Sequence, residues 1–406
     1  MAEAPLTLLD LFAGAGGVTR GFLPRRRWPT VPTYASVGAI DIDRWATQSY
    51  ASNFPNVPVV RADIASLGLN QIRELLRDFG VRTGKLDVLV ACPPCQSYSQ
   101  NNRARTSSDT RNWLYKPVIH WVQMARPRAV LMENVSDIRD ADDGVHDRAL
   151  TEALTSLNYE VDAWTLDAVN YGVPQRRQRR LYLAYRGDLG ITPVPPPATH
   201  VPLGEAGTQW VSAGDAIRDL PSIEAAGEKP PFISRADPDR PGYANAHGEY
   251  ARMMRSDRLS AVTHHWSPAL SELALKRLQH LWPGAALADL PPHLQPKMGF
   301  RGAYGRLHPD RPAWTITAHC EYPSRGRFSH YYANRGLTMR EAARLQSFPD
   351  EFTFLGPRVQ VARQIGNAVP PLLARAFAQL IGTALLQCGA ELPADGAKSR
   401  VPALTG

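Results

Sequence analysis

The sequence predicts an α/β fold: a mostly parallel, Rossmann-like sheet with helices on both faces, followed by a smaller, irregular domain. Three observations lead there. Short apolar runs alternate with longer helical patterns through the first half, as in successive βαβ units. A glycine-rich turn containing Gly14, Gly16 and Gly17 directly follows the first apolar run. At Thr192 the composition changes, where "TPVPPPATHVPLG" opens a proline-rich, irregular stretch.

The expected strands are Leu6–Leu11, Ser36–Ile40, Val57–Arg61, Asp87–Ala91, Ala129–Met132 and Leu181–Ala184. Helices are expected between them, over Arg44–Asn53, Gln71–Phe79 and Tyr115–Ala125. Residues 1–191 thus read as the first domain and 192–312 as the second. The second contains one clear helix, Pro268–Trp282, with Leu270, Leu273, Leu278 and Leu281 placed to share an apolar face. Residues 313–356 read as a connecting segment. Residues 357–390 return to the first domain through the apolar helix Pro371–Leu386, and 391–406 are expected to be a disordered tail.

The 406-residue chain carries a net charge of +8 and a pI of about 9.4, a balance that suits a polyanionic partner. Arginines cluster at Arg25–Arg27, Arg176–Arg177 and Arg179–Arg180. The four cysteines, at 92, 95, 320 and 388, are too scattered for a disulfide framework. The N-terminus lacks a basic region followed by a long apolar run, and no apolar run is expected to reach spanning length. A soluble cytoplasmic protein is the expectation.

In "LLDLFAGAGGVTRGF" the glycines let the backbone turn tightly and approach a ligand. Their spacing is not the dinucleotide fingerprint, and no Lys-Ser/Thr pair follows, which disfavours nicotinamide and ATP. Asp41 ends the next strand, where an acid commonly binds ribose hydroxyls, and Asp63 ends the third. A ligand with ribose and adenine but no phosphate fits this set: S-adenosylmethionine.

The stretch "LDVLVACPPCQSYSQ" sets two cysteines at the mouth of a strand. A redox pair, half of a zinc site or a single nucleophile would each account for them. Zinc lacks a second paired knuckle, and no metal is expected. Downstream, "AVLMENV" brings Glu133 and Asn134 to another strand end, and "NYGVPQRRQRRLYLAY" sets a basic run before a strand. A thiol, a carboxylate and a guanidinium can together attack an electron-poor ring carbon, hold a ring nitrogen and polarise a ring carbonyl. Cytosine presents that combination.

These blocks resemble the cytosine-5 DNA methyltransferases, in the family's order over almost the whole chain. "DLFAGAGG", "PPCQSYS", "ENV" and "QRRQRR" are followed by "GRLHPDRPAWTIT", "PSRGRFSHYYANRGLTMREAARLQSFPDEF" and "QIGNAVPPLLARAF". The resemblance implies Cys95 as nucleophile and Glu133 as the acid on the cytosine edge. It makes Cys92 a bystander where the family commonly has a small residue. Counting from Pro174 makes Arg179 the catalytic arginine with Arg177 its structural neighbour; counting back from "LYL" favours Arg180. The implied cofactor contacts are Phe12, Ala13, Gly14, Gly16, Gly17, Asp41, Ile42, Asp63, Ile64, Pro93, Asn367 and Ala368.

Double-stranded DNA is the implied partner, with a cognate restriction endonuclease as a functional one and a monomer as the expected state. The target cytosine must be flipped out of the duplex. The loop Ser97–Arg111 is placed to close over it, and residues 192–312 take the place of a target recognition domain. Candidate DNA contacts are Gln96, Ser99, Arg103, Arg252, Arg255, Arg301, Arg325 and Arg327. Two features depart from the family pattern: His330-Tyr331 and Ala333-Asn334 replace usual pairs, and Pro24–Pro32 reads as an insertion open to DNA contact or solvation. An RNA-methylating enzyme and a silent DNA-binding regulator are the rival readings.

Overall fold

The computed structural model describes residues 4–94, 114–223, 248–256, 262–295 and 302–391. Seven strands form one sheet: β1 (Leu6–Leu11), β2 (Tyr34–Asp41), β3 (Val59–Arg61), β4 (Val88–Ala91), β5 (Ala129–Val135), β6 (Tyr159–Asp167) and β7 (Gln178–Arg186). Their order is β3-β2-β1-β4-β5-β7-β6, with β1 to β5 parallel and β7 antiparallel to both neighbours. Strands β1 and β4 are almost wholly buried, as a sheet covered on both faces requires.

The sequence expectation overlooked β6. Its polar Glu160 and Asp162 alternate with apolar residues at the sheet edge, a weaker signal than a continuous apolar run. The helices of this half are α1 (Gly17–Phe22), α2 (Arg44–Asn53), α3 (Leu69–Asp78), α4 (Tyr115–Ala125) and α5 (Val145–Ser156). Asp43 starts α2 by accepting the N–H groups of Trp45 and Ala46 at 2.8 Å.

Beyond residue 192 come α6 (Ala213–Ile217), α7 (Gly248–Met254), α8 (Glu272–Gln279), α9 (Met339–Leu345), α10 (Arg358–Asn367) and α11 (Pro371–Glu391). Helix α8 is shorter than the expected Pro268–Trp282, because the Ser271 hydroxyl caps its start. Leu278, Leu281, Ala285, Leu290 and Leu294 form a small core there. Ala216, Ile217, Tyr250 and Met254 instead share the main core with Phe348, Phe352 and Phe354. Residues on either side of position 312 therefore pack as one body.

Buried charge reinforces that junction. Arg344 of α9 donates to both carboxylate oxygens of Asp350, at 2.6 and 2.7 Å, and to Asp219 at 3.0 Å. Arg335 grips Glu341 through two bonds of 2.8 and 2.7 Å.

The Pro24–Pro32 insertion serves the same junction. Arg25 donates to the carbonyls of Met253, Met254 and Arg255, closing the end of α7, and pairs with Glu351 at 2.6 Å. Trp28 lies against both the Arg25 and Arg375 guanidiniums, each 5.4 Å from its ring.

The segment Arg358–Cys388, which takes in α10 and most of α11, is long and apolar enough to cross a membrane by length and composition alone. Two thirds of its apolar window (67%) is buried inside the fold, as in a core helix. The expected tail beyond 391 lies outside the described residues.

Candidate active site

The carboxyl ends of β1 and β2 build one half of the site. After β1 the backbone turns through left-handed conformations at Phe12 (φ 54°) and Gly14 (φ 54°). Asp41, ending β2, holds that turn: one carboxylate oxygen accepts the Gly14 N–H and the other the Asp43 N–H, each at 2.8 Å. Burial pushes the Asp41 carboxyl above its ordinary range.

Beneath the turn, Asp10 is fully buried. One of its oxygens accepts the Thr19 hydroxyl at 2.7 Å; the other has no hydrogen-bond partner among the described residues. Burial pushes its carboxyl up to about 7.

These residues fit an adenosyl group. No described residue lies within 4 Å of where a Gly14 side chain would begin, so the turn leaves room for a ligand. Ile42 presents an apolar side chain, 58% exposed, beside the Asp41 carboxylate. Asp63 caps the turn that follows β3 by accepting the Ala65 N–H at 3.0 Å. Ile64 is buried and supports this wall from behind.

The far wall comes from the C-terminal segment. A side chain at Gly17 would meet the Val369 carbonyl at 2.7 Å, so the glycine loop and the Asn367-Ala368 turn touch directly. Asn367 is exposed. A side chain at Gly366 would lie 2.1 Å from the Thr317 carbonyl carbon, so α10 ends against that segment with no room to spare.

The other half lies at the ends of β4, β5 and β7. Glu133 and Arg179 form an ion pair at 2.9 Å, with side-chain exposures of 11% and 15%. Register explains why it is Arg179 and not Arg180. Val135 pairs with Arg179 and Glu133 with Leu181, so Glu133 and Arg179 are diagonal neighbours on one face. Arg180 points to the other face, where it forms two 2.8 Å bonds to Asp147.

Burial lowers the Arg179 guanidinium, with Glu133 acting against that shift. Arg177 does not reach Glu133's carboxylate as a partner. It is buried and donates to the carbonyls of Ile316, Gly366 and Ala368 at 2.9–3.0 Å, tying the start of β7 to the C-terminal segment.

Glu133 and Asn134 line a small pocket together with Pro93, Pro94, Met132 and His146. Burial pushes the Cys92 thiol well above its ordinary range, with Glu133 and Asp10 adding to the effect. Cys92 is therefore a neutral thiol on the floor of the site. Cys95, Gln96, Ser99, Arg103, Arg301 and the expected lid lie outside the described residues.

Among the other expected DNA contacts, Arg325 is exposed, Arg327 stacks on Trp314, and Arg252 lies on α7. Arg255 turns inward to Asp219 at 2.7 Å, with an 18% exposed side chain. At the His330-Tyr331 departure the two rings stack at 4.1 Å, and burial lowers the imidazole to about 4. Arg306 compensates the altered pairs by donating to the carbonyls of His330 and Ala333 and to the Asn334 side chain. Sequence reasoning did not foresee the bracing role of Arg306 or the outward ring of Trp314. The partners of both are remote along the chain, and nothing local marks them.

The sheet order, the glycine turn and the strand-end carboxylates define a Rossmann-like methyltransferase fold. The chain belongs to the C-5 cytosine-specific DNA methylases, S-adenosylmethionine-dependent enzymes whose family model matches residues 6–383. It is 32% identical to the type II methyltransferase M1.HphI of Haemophilus parahaemolyticus, over 93% of this chain and 86% of that one. To M.AgeI of Thalassovita gelatinovora the identity is 30%, over 93% and 99%. A prophage-encoded candidate DNA modification methyltransferase of E. coli superposes with a TM-score of 0.68 at 24% identity, covering 95% of this chain and 100% of that one.

Proposed function

We propose that the protein methylates C5 of a target cytosine within a short sequence of double-stranded DNA, as a type II modification enzyme acting as a monomer. The Glu133–Arg179 pair beside the Pro93-Pro94 loop carries this reading. The type II methyltransferases to which the chain is similar support the restriction-modification setting.

The target base leaves the duplex to reach a site set among strand ends, at a cost of a few kcal/mol in stacking and pairing. The Cys95 thiolate then adds to C6, forming an S–C6 bond and moving electron density toward C5 and N3. Glu133 holds the N3 and amino edge of the ring, and Arg179 steadies both Glu133 and the ring carbonyl as charge develops. When bound, S-adenosylmethionine would supply an electrophilic methyl group to C5, its sulfonium sulfur leaving as the thioether of S-adenosylhomocysteine. Phe12, Ile42, Asp41 and Asp63 would hold its adenosine, with Gly14, Gly16, Asn367 and Ala368 around them. Loss of the C5 proton to water and expulsion of the Cys95 thiolate restore the ring. Residues 192–312 act as the target recognition domain.

The test is transfer of labelled methyl groups to a mixed-sequence plasmid by wild type, Cys95→Ser and Cys92→Ser, with bisulfite sequencing. Label at cytosine C5 in one short motif, lost only with Cys95→Ser, is expected. Label on a tRNA pool alone, or on neither substrate, would overturn the reading.

A further inference from the structure

We infer that Trp314 and Arg327 form a platform that contacts the DNA strand at the mouth of the active site, the indole stacking on an unstacked nucleobase and the guanidinium meeting a phosphate. This rests on the DNA-methyltransferase reading above.

Trp314 is held beside the catalytic run by its neighbours. The Ala313 N–H donates to the Pro174 carbonyl at 2.9 Å, and the Arg176 N–H donates back to Ala313 at 2.8 Å. The Thr315 hydroxyl donates to the Arg176 carbonyl at 2.7 Å, and the Ile316 N–H to the Gln175 side chain at 2.9 Å. Ala313 and Ile316 are buried. The segment is thus laced to residues 174–176, directly ahead of the strand that presents Arg179 to Glu133.

Between those anchors the indole turns outward and is 58% exposed. One exposed aromatic means little by itself. Here the Arg327 guanidinium lies 4.8 Å from the ring centroid. Gly305 makes this possible: a side chain there would come within 2.5 Å of the Arg327 Cγ, so the Arg327 stem lies flat on bare backbone. Three separate chain segments build the pair.

Among the described residues, three comparable cation–aromatic pairs have their cation engaged elsewhere. Arg25, over Trp28, is tied to Glu351, and Arg176, over Trp210, to Asp167. Arg277, over Tyr304, donates to the Leu294 carbonyl. Among the described residues no ion pair involves Arg327 or its exposed neighbour Arg325, and Tyr322 beside them is 50% exposed. An exposed ring face beside the Arg327 guanidinium, which forms no ion pair among the described residues, suits a nucleic-acid strand, since stacking serves the base and guanidinium the phosphate.

The experiment measures DNA and cofactor dissociation constants and turnover for wild type, Trp314→Ala, Trp314→Phe and Arg327→Met, with salt titrations. Trp314→Ala is expected to weaken DNA binding about 10-fold, Trp314→Phe to recover most of it, and S-adenosylmethionine affinity to stay unchanged. Arg327→Met is expected to reduce the salt slope of DNA binding by about one. Unaltered DNA affinity in Trp314→Ala, or a matching loss of cofactor affinity, would overturn the inference while wild type still methylates DNA. Absence of DNA methylation by wild type would instead overturn the reading beneath it.

Discussion

Replacing Asp10 by Asn removes a charge from beneath the glycine turn while keeping a polar group of similar shape. The wild-type carboxylate is enclosed: one oxygen accepts the Thr19 hydroxyl at 2.7 Å and the other has no hydrogen-bond partner among the described residues. Burial raises its pKa from 3.8 to about 7, opposed by the Thr19 bond and helped by Asp41. The folded state therefore prefers the neutral acid. For an acid whose folded pKa lies above its unfolded one, stability is fully present below the unfolded value and is lost as pH rises toward the folded value. Each pKa unit is worth about 1.36 kcal/mol, so wild type should lose about 3 kcal/mol from this group between pH 4.5 and 7. Asp10→Asn should not. Urea unfolding of both proteins at several pH values between 4.5 and 8 measures the difference, in which other titrating groups cancel. Asn should gain on wild type by about 3 kcal/mol across the window. Parallel stability curves, or a carboxyl carbon resonance of Asp10 titrating near 4, would refute the reasoning.

Other expectations follow from the same geometry. Arg179→Lys keeps a positive charge but loses the guanidinium fork facing Glu133; single-turnover methylation should slow by about 10²–10³ with cofactor affinity unchanged. Arg344→Met leaves Asp219 and Asp350 facing one another in the interior; urea unfolding should show a loss of about 3–5 kcal/mol. Gly366→Ala places a methyl group 2.1 Å from the Thr317 carbonyl carbon, so stability should fall by about 1–3 kcal/mol. Calorimetry should also show weaker S-adenosylmethionine binding, because Gly366 leads into the Asn367-Ala368 wall.

Much of the sheet was legible because strands buried on both faces read as apolar runs, as Val88–Ala91 does. The edge strand β6 was not, since its exposed positions interrupt that run. The chemical groups of the site were also legible. Glycines after β1, Asp41 at the end of β2 and Glu133 late in β5 reveal themselves by residue type and by position at a strand end. What each arginine does was not. Arg179 and Arg180 are adjacent, and a one-residue slip exchanges the faces of a strand, so only the pairing of β7 with β5 separates the one beside Glu133 from the one beside Asp147. Arg25 and Arg255 have the composition of phosphate contacts, yet their partners Glu351 and Asp219 hold them inside. By itself, then, the sequence determined the strands, the turns and the reactive groups at their ends, because those depend on local residue type and spacing. Tertiary structure alone decided which cations serve the site, which brace the fold and which remain open to a partner. Charge pairing depends on distance in space, and these partners lie far apart along the chain.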